Sequence, residues 1–358
     1  MRSSLFYCFL ALFNQIKSYF CLNQKMRMKK YIYFIEMVLG GLMASCASVD
    51  VLTYDQLHPA EMSFPADIKQ VGVVNNMPYR TAPLTESLTM GVITAEGKLT
   101  AEAVAGALAD SKYFDQVIIC DSALQPKDAD ITADPKLSAE DINNLSADLG
   151  VDMLVSLERL WVETSQKKIQ YPGWNVPVSV VKSNINPVIR LYVPGRTQPL
   201  HTISISDSLY WDMGVPLSED IILKEASKLA ATKIAEYITP TWTQADRVYF
   251  SGGCVEMRDA AVYLREGDWK EAQSIWKGLY DRLRKGKTKT RAAFNIALSY
   301  EMLGDILSAE QWIQNTLKYV EPRSQEEQFA NAYAKALEYR RKDVTNLNVQ
   351  MSRFNDNF

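Results

Sequence analysis

The chain has 358 residues, of which 47% are hydrophobic, so it is long enough to form two domains with substantial cores. It carries 39 Lys and Arg against 42 Asp and Glu. The first 45 residues hold six of these basic residues and one acidic residue, which leaves 33 basic and 41 acidic residues beyond them. Such an acidic body argues against non-specific binding of nucleic acid, which requires a basic surface.

Residues 29–46 begin with two lysines, continue as an apolar run, and end in small residues before a cysteine. This order resembles a bacterial lipoprotein signal peptide, in which Cys46 would be acylated and begin the mature chain. The resemblance implies that residues 1–45 are a signal peptide and that lipid anchors the protein at the outer membrane. The chain directly after Cys46 has no acidic run, which favours a periplasm-facing anchor. Met28, or alternatively Met26, is the expected start of translation, so most or all of residues 1–27 would not belong to the protein.

Strand-like and helix-like patterns alternate after this segment. Residues 46–66 show no clear periodicity and are expected to be a lipidated tether. Strand patterns cover residues 68–74, 114–120, 151–160 and 247–250, with two or three further strands within residues 175–207. Helix patterns begin at the capping residues Thr100, Ser138 and Ser218, and the last two end at Gly150 and Pro240. This order predicts an α/β (or α+β) layered domain with a mixed sheet over residues 67–250.

Three short motifs recur in order within this domain. They are Phe114-x-x-Val117, the run Leu-Gly-Val-Asp-Met-Leu-Val at residues 149–155, and the pair Arg190-Leu191. This order resembles the α/β domain of the curli-secretion lipoprotein family and the N-terminal domain of TolB. The resemblance spans roughly residues 67–210.

The C-terminal part contains an internal repeat. Tyr263 is followed by Gly, Asp and Ala at offsets of 4, 5 and 9 residues, and Tyr300 by the same residues at the same offsets. The pattern resembles tetratricopeptide repeats, which are pairs of antiparallel helices. The resemblance implies an all-α helical repeat domain over residues 254–343. Residues 344–358 are expected to be a polar tail.

In such repeats the first helix of each pair lines a concave groove. The positions that would face the groove are Arg258, Arg265, Arg291, Phe294, Asn295 and Leu298. Arginine and asparagine around apolar residues suit a peptide backbone or a carboxylate. The alternative is that this face packs against the α/β domain or the terminal helix.

A second candidate site lies in loops of the α/β domain. Asn75, Asn76, Tyr79 and Arg80 follow the first predicted strand, and ligands of open α/β sheets often bind at carboxyl ends of strands. The alternative for these residues is turn formation, which Asn favours.

The turn that joins two later strands carries Tyr171 and Trp174, whose rings could stack on sugars or proline-rich peptides. The alternative is that this loop packs onto its own sheet.

The chain has only two histidines, His58 and His201, and no CxxC motif. No spacing of nucleophile and base or of metal ligands points to catalysis, so neither a cofactor nor a metal is expected. Beyond Cys46, the remaining Cys120 and Cys254 could form a disulfide in the periplasm or stay separate thiols.

The favoured hypothesis is a non-enzymatic lipoprotein that binds another envelope protein or peptide through its repeats. The alternatives are a component of an envelope assembly or secretion system that forms homo-oligomers through the α/β domain, and an envelope hydrolase.

Overall fold

The computed structural model describes residues 49–79, 88, 90–126, 129, 136–170, 175–214 and 216–357. Cys46 and the expected signal peptide lie outside these residues, as do Arg80, Tyr171 and Trp174. The chain divides into two compact units. One unit comprises Thr53–Ala245 with Ala336–Phe358, and the other comprises Asp246–Lys335 with the residues up to Leu52.

Strands and helices are interspersed up to Phe250, and helices alone follow in the described chain. The strands are β1 (Val49–His58), β2 (Gln70–Asn75), β3 (Gly91–Thr94), β4 (Gln116–Ala123), β5 (Met153–Ile169), β6 (Val178–Tyr192), β7 (His201–Ser204), β8 (Asp207–Asp212) and β9 (Thr241–Phe250). The helices are α1 (Gly97–Asp110), α2 (Ala139–Leu149), α3 (Glu219–Ile238), α4 (Val255–Arg265), α5 (Trp269–Arg282), α6 (Lys287–Met302), α7 (Ile306–Tyr319) and α8 (Gln325–Met351), and a 3₁₀ helix covers Ser352–Asn357. The predicted order of an α/β domain followed by an all-helical region is confirmed.

A mixed seven-stranded sheet forms the centre of the α/β unit. Its strand order is β4-β2-β5-β6-β7, with β3 also paired to β5 and β8 also paired to β6. β2 runs parallel to both of its neighbours, and the other pairs in this sheet are antiparallel. β1 and β9 form a separate two-stranded sheet.

Helices cover both faces of the parallel part of the sheet. On one face, Val104 of α1 and Ile234 of α3 belong to the same buried cluster as Val73 of β2. On the other face, Ile142 of α2 packs in a cluster with Val74. Because β2 is buried on both faces, its sequence is a nearly continuous apolar run rather than an alternating one.

Of the three helix starts predicted from capping residues, those at Ser138 and Ser218 are confirmed. Ser138 and Asp141 form a capping box before α2, and Gly150 ends that helix in the left-handed conformation, as predicted. The predicted cap of α1 at Thr100 is wrong, because α1 begins at Gly97. The Thr100 hydroxyl lies inside the helix and donates to the Glu96 carbonyl.

Two segments at the ends of the described chain are more structured than expected. The expected tether contains β1, whose alternation of exposed and partly buried residues is weak. The expected polar tail instead continues α8 to Met351, and it buries Gln350 and Arg353. The Gln350 amide accepts from the Ala60 N–H and donates to the Ala60 carbonyl, so the end of α8 binds the segment after β1.

The helical unit contains two hairpins of consecutive helices, α4–α5 and α6–α7. Gly267 and Gly304 occupy the turns with φ of 81° and 85°, a conformation that glycine adopts without strain. The aspartates that follow cap α5 and α7 by accepting backbone N–H groups. Ala309 is completely buried. The glycines shared by the two repeat units, Gly267 and Gly304, therefore lie at the turns between paired helices.

Candidate functional site

The groove predicted from the repeat is filled by the chain itself. Phe294, Asn295 and Leu298 are at most 1% exposed, so they offer no open surface to a partner. Arg291 is also mostly enclosed, with 12% of its side chain exposed. Only Arg258 and Arg265 among the predicted groove residues are exposed. The residues that fill the groove come from the end of β9 and from α8. Packing against the terminal helix was one of the alternatives for this face, and α8 is that helix.

Asn295 of α6 holds the backbone of Phe250 with two hydrogen bonds. The Phe250 N–H donates to Asn295 Oδ1 at 2.9 Å, and Asn295 Nδ2 donates to the Phe250 carbonyl at 2.7 Å. Both residues are buried, so each bond satisfies a backbone group that has lost its water. A side-chain amide that bonds both the N–H and the carbonyl of one residue can bind an extended peptide independently of the side chain at that residue.

The Phe250 ring lies in an aromatic pocket. Its centroid is 5.2 Å from that of Phe294 in an edge-to-face arrangement and 6.2 Å from that of Phe329 on α8. The Arg291 guanidinium lies over the ring at 5.0 Å. These contacts suit an aromatic side chain, because edge-to-face pairs and a cation over the ring add to the gain from burial.

Arg291 is fixed by ionic contacts. Its Nη2 lies 2.8 Å from Oε1 of Glu326, which is buried at the start of α8. Lys287 Nζ approaches the same carboxylate oxygen at 3.1 Å. Replacement of Arg291 would remove a partner of a buried carboxylate, so this arginine is not free to bind a partner as a groove-facing residue would be.

A second side-chain site receives Arg247, three residues before Phe250. Arg247 Nη2 and Nε donate to the two oxygens of Glu301 at 2.7 and 3.0 Å. The Tyr333 hydroxyl donates to the same carboxylate at 2.7 Å. The Glu301 side chain is 2% exposed, so a bidentate arginine compensates for its buried charge.

The exposed arginines of α4 flank this segment. Arg265 Nη1 donates to the Tyr249 hydroxyl at 3.4 Å. Arg258 lies seven residues earlier, two helical turns away, and so projects on the same side of α4. Together they form a basic strip that is open to solvent beside the filled groove.

The loop site expected after the first strand is mostly internal. Asn75 is 8% exposed and Asn76 is fully buried, whereas Tyr79 is exposed. Asn75 Oδ1 accepts from the Met77 N–H, the turn chemistry raised as an alternative. A Cβ atom at Gly97 would lie closer than 3.0 Å to three Asn75 side-chain atoms, so only glycine fits at the start of α1.

Asn76 contacts a buried carboxylate that the sequence analysis did not select. Its Nδ2 donates to Glu158 Oε2 at 2.6 Å, and Gln125 Nε2 donates to Asn76 Oδ1 at 2.7 Å. Arg190 Nη1 lies 3.8 Å from the same carboxylate, and the Tyr192 hydroxyl donates to its other oxygen at 3.4 Å. Glu158 is 1% exposed and occupies a β-bulge between β5 and β6.

Burial dominates the protonation of this cluster. It raises the pKa of Glu158 to about 7, although the Asn76 hydrogen bond and the Arg190 charge oppose the shift. Burial, reinforced by the Glu158 charge, raises the pKa of Tyr192 to about 12. The pair Glu158-Arg159 interrupts the mostly apolar run of residues 153–162, which is the sequence signal for both the bulge and the buried charge. These side chains are one another's partners, so a structural role accounts for the cluster.

Several other features bear on the class of protein. Cys120 and Cys254 are free thiols, and burial raises the pKa of Cys254. Within the described residues, no three His, Cys, Asp or Glu side chains are grouped as metal ligands. The helices of this described part include none with the length and apolar character needed to cross a bilayer.

The chain belongs to the family Domain of unknown function (DUF8603), whose model matches residues 68–250, just over half of the sequence. Residues 258–339 match a second family, Domain of unknown function (DUF6340). The second match covers the helical hairpins but does not identify them as tetratricopeptide repeats, so that relationship stays a prediction. A comparison with curated proteins found no significant match.

Solved structures that resemble the chain do so loosely. A chain of the PelC dodecamer from Paraburkholderia phytofirmans has 11% identity and a TM-score of 0.26, covering 52% of this chain and 98% of its own. The hypothetical protein CT253 from Chlamydia trachomatis has 14% identity and a TM-score of 0.23, with coverages of 39% and 71%. The rare lipoprotein B from Shewanella oneidensis has 16% identity and a TM-score of 0.21, with coverages of 46% and 90%. Scores this low establish no common fold.

Proposed function

We propose that this protein is a non-enzymatic lipoprotein of the bacterial cell envelope that binds an extended segment of another envelope protein. Its helical unit, related to tetratricopeptide repeats, carries the binding groove. Lipid on Cys46 holds it at the outer membrane, on the periplasmic side. The order of basic, apolar and small residues before Cys46 supports the anchor.

The contact between Asn295 and Phe250 carries the proposed binding function. The groove already holds an extended stretch of polypeptide by its main chain, and it surrounds that stretch with pockets for two side chains. This is the combination that peptide-recognition sites use, because main-chain hydrogen bonds supply affinity and side-chain pockets supply specificity. Arg258 and Arg265 add exposed positive charge beside the groove, which suits an acidic partner surface.

Crosslinking in intact cells tests this function. Cells that express the wild-type chain or the Arg258→Glu/Arg265→Glu variant are treated with a short crosslinker, and the captured proteins are identified. We expect the wild type to capture a defined envelope protein and the variant to lose that capture. Exposed substitutions usually change stability by less than about 0.5 kcal/mol, so the variant should remain folded.

The matched control is Lys270→Glu/Arg284→Glu, which reverses the same number of exposed charges elsewhere on the helical unit. The control should capture the partner at the wild-type level. Equal capture by both double variants would show that the partner binds outside this basic strip, and loss in both would indicate an effect of net charge alone.

A further inference from the structure

The groove of the helical unit is occupied by a short segment, residues 247–250, which forms the end of β9. Asn295 binds its main chain, Glu301 binds Arg247, and an aromatic pocket encloses Phe250. The residues that form these three sites lie on α6 and α8, and the segment that they bind is the end of β9. They define a ligand by chemistry: an extended peptide with an arginine and, three residues later, a phenylalanine.

Each side-chain site discriminates for a physical reason. If the bound segment had no arginine, the Glu301 carboxylate would stay buried next to the Tyr333 hydroxyl and would lose the cation that balances its charge. Without an aromatic ring, the pocket beside Phe294 and Phe329 would be left as a cavity under Arg291. A segment that lacks either side chain would therefore bind much more weakly.

The sheet that carries the bound segment opposes its release only weakly. The segment ends β9, which in the part of the chain that the structure describes pairs with β1 alone, and two-stranded sheets are marginal on their own. Ser251, Gly252 and Gly253 follow directly, and Gly253 has a φ of 124° that favours glycine. A glycine-rich connection allows the segment to leave the groove while α4 stays in place.

We propose that residues 247–250 are an internal ligand, and that the partner's binding segment replaces them by presenting the same arginine and phenylalanine spacing. This inference rests on the proposed function and specifies its ligand. The internal segment acts at an effective concentration on the order of millimolar, as tethered ligands do, so it keeps weaker segments out. The groove is thus selective because a competitor must match both side-chain sites.

A full-length variant with a vacated groove, Arg247→Ala/Phe250→Ala, tests the inference. The probe is a fluorescent synthetic peptide with the sequence of residues 245–252, and binding is measured by fluorescence anisotropy. We expect the variant to bind this peptide with a dissociation constant in the micromolar range. Wild type should bind it at least about tenfold more weakly, because its own segment competes.

Two control peptides test the pattern, one with alanine for the arginine and one with alanine for the phenylalanine. Each should bind the vacated variant at least about tenfold more weakly than the parent peptide. A folded variant that binds none of the peptides, or all three equally, would overturn the inference.

A milder variant, Arg247→Ala/Phe250→Leu, covers the case in which the first fails to fold. If neither variant folds alone, recovery of helical circular dichroism on addition of the parent peptide, but not of the control peptides, would support the inference. Absence of recovery would refute it. Peptide binding without capture of a protein in cells would refute the proposed function instead, and capture without peptide selectivity would refute only this inference.

Discussion

At the scale of single residues, Glu158 offers the clearest link between burial and a measurable property. Its carboxyl group is 1% exposed, and burial raises its pKa to about 7 from an ordinary value of 4.5. The folded state therefore binds the proton more tightly than the unfolded state does. The stability gained is fully present below pH 4.5 and is lost as the pH rises through 7.

We expect Glu158→Gln to remove this pH dependence. Glutamine resembles the protonated acid, so the variant and the wild type should have similar unfolding free energies near pH 4. Above pH 7 the variant should be more stable by about 3 kcal/mol, which is the free energy of a shift of this size. Urea denaturation at a series of pH values measures the difference. Glu163→Gln, an exposed carboxylate on the same strand, is the control and should show no such trend.

A difference between Glu158→Gln and wild type that stays constant with pH would contradict this account. It would mean that Glu158 remains ionised in the folded state and that Arg190, at 3.8 Å, outweighs burial.

At the scale of elements, the hairpins of the helical unit depend on close approach of their helices. Ala309 on α7 is fully buried at the position that the repeat assigns to a helix crossing. We expect Ala309→Leu to lower the unfolding free energy of the full-length chain by about 1–3 kcal/mol, because extra methylenes must enter a packed contact. Chemical denaturation measures the loss.

Gln311→Leu provides a matched control on the same helix. Gln311 is exposed, so its replacement adds the same side chain without crowding the interior. We expect it to change stability by less than about 0.5 kcal/mol. If the two leucine variants melt alike, the helix crossing lies elsewhere.

Local signals in the sequence are sufficient for the ends of α2 and α3 and for the repeat turns. The capping pair Ser138 and Asp141, the stop at Gly150 and the turn at Gly304 each follow from a few neighbouring residues. The strands β1, β3 and β8 were missed because β3 has four residues and the others show no clean alternation of burial. The α1 cap failed because Thr100 bonds backward within its helix.

The filled groove could not be derived in this way. The repeat spacing places Asn295 on an inner helix face, but Phe250, which covers it, is 45 residues earlier in the chain. The residues next to Phe250 in the sequence do not show whether Phe250 simply ends a strand or also occupies the groove. The same holds for Glu158, whose partner Asn76 is 82 residues away. Long-range packing decides such contacts, and a single sequence does not specify it.

At the scale of the whole molecule, lipidation is the event on which the proposed location depends. The chain beyond residue 45 is acidic, so attraction to an anionic membrane would not hold it at the surface. Acyl chains would hold the protein at the membrane, because each buried CH₂ contributes about 0.8 kcal/mol and two or more chains give stable attachment. The location therefore depends on one thiol, that of Cys46.

We expect Cys46→Ser to abolish the lipid anchor. Cells fed an alkyne fatty acid should label the wild-type chain, and the variant should take up no label because serine offers no thiol to the modifying enzyme. In fractionated cells, the variant should be soluble or should keep its uncleaved signal. Cys120→Ser and Cys254→Ser remove the other thiols of the mature chain and should label as the wild type does. Label that persists on the Cys46→Ser chain, or a wild type that takes up none, would rule out the lipoprotein assignment.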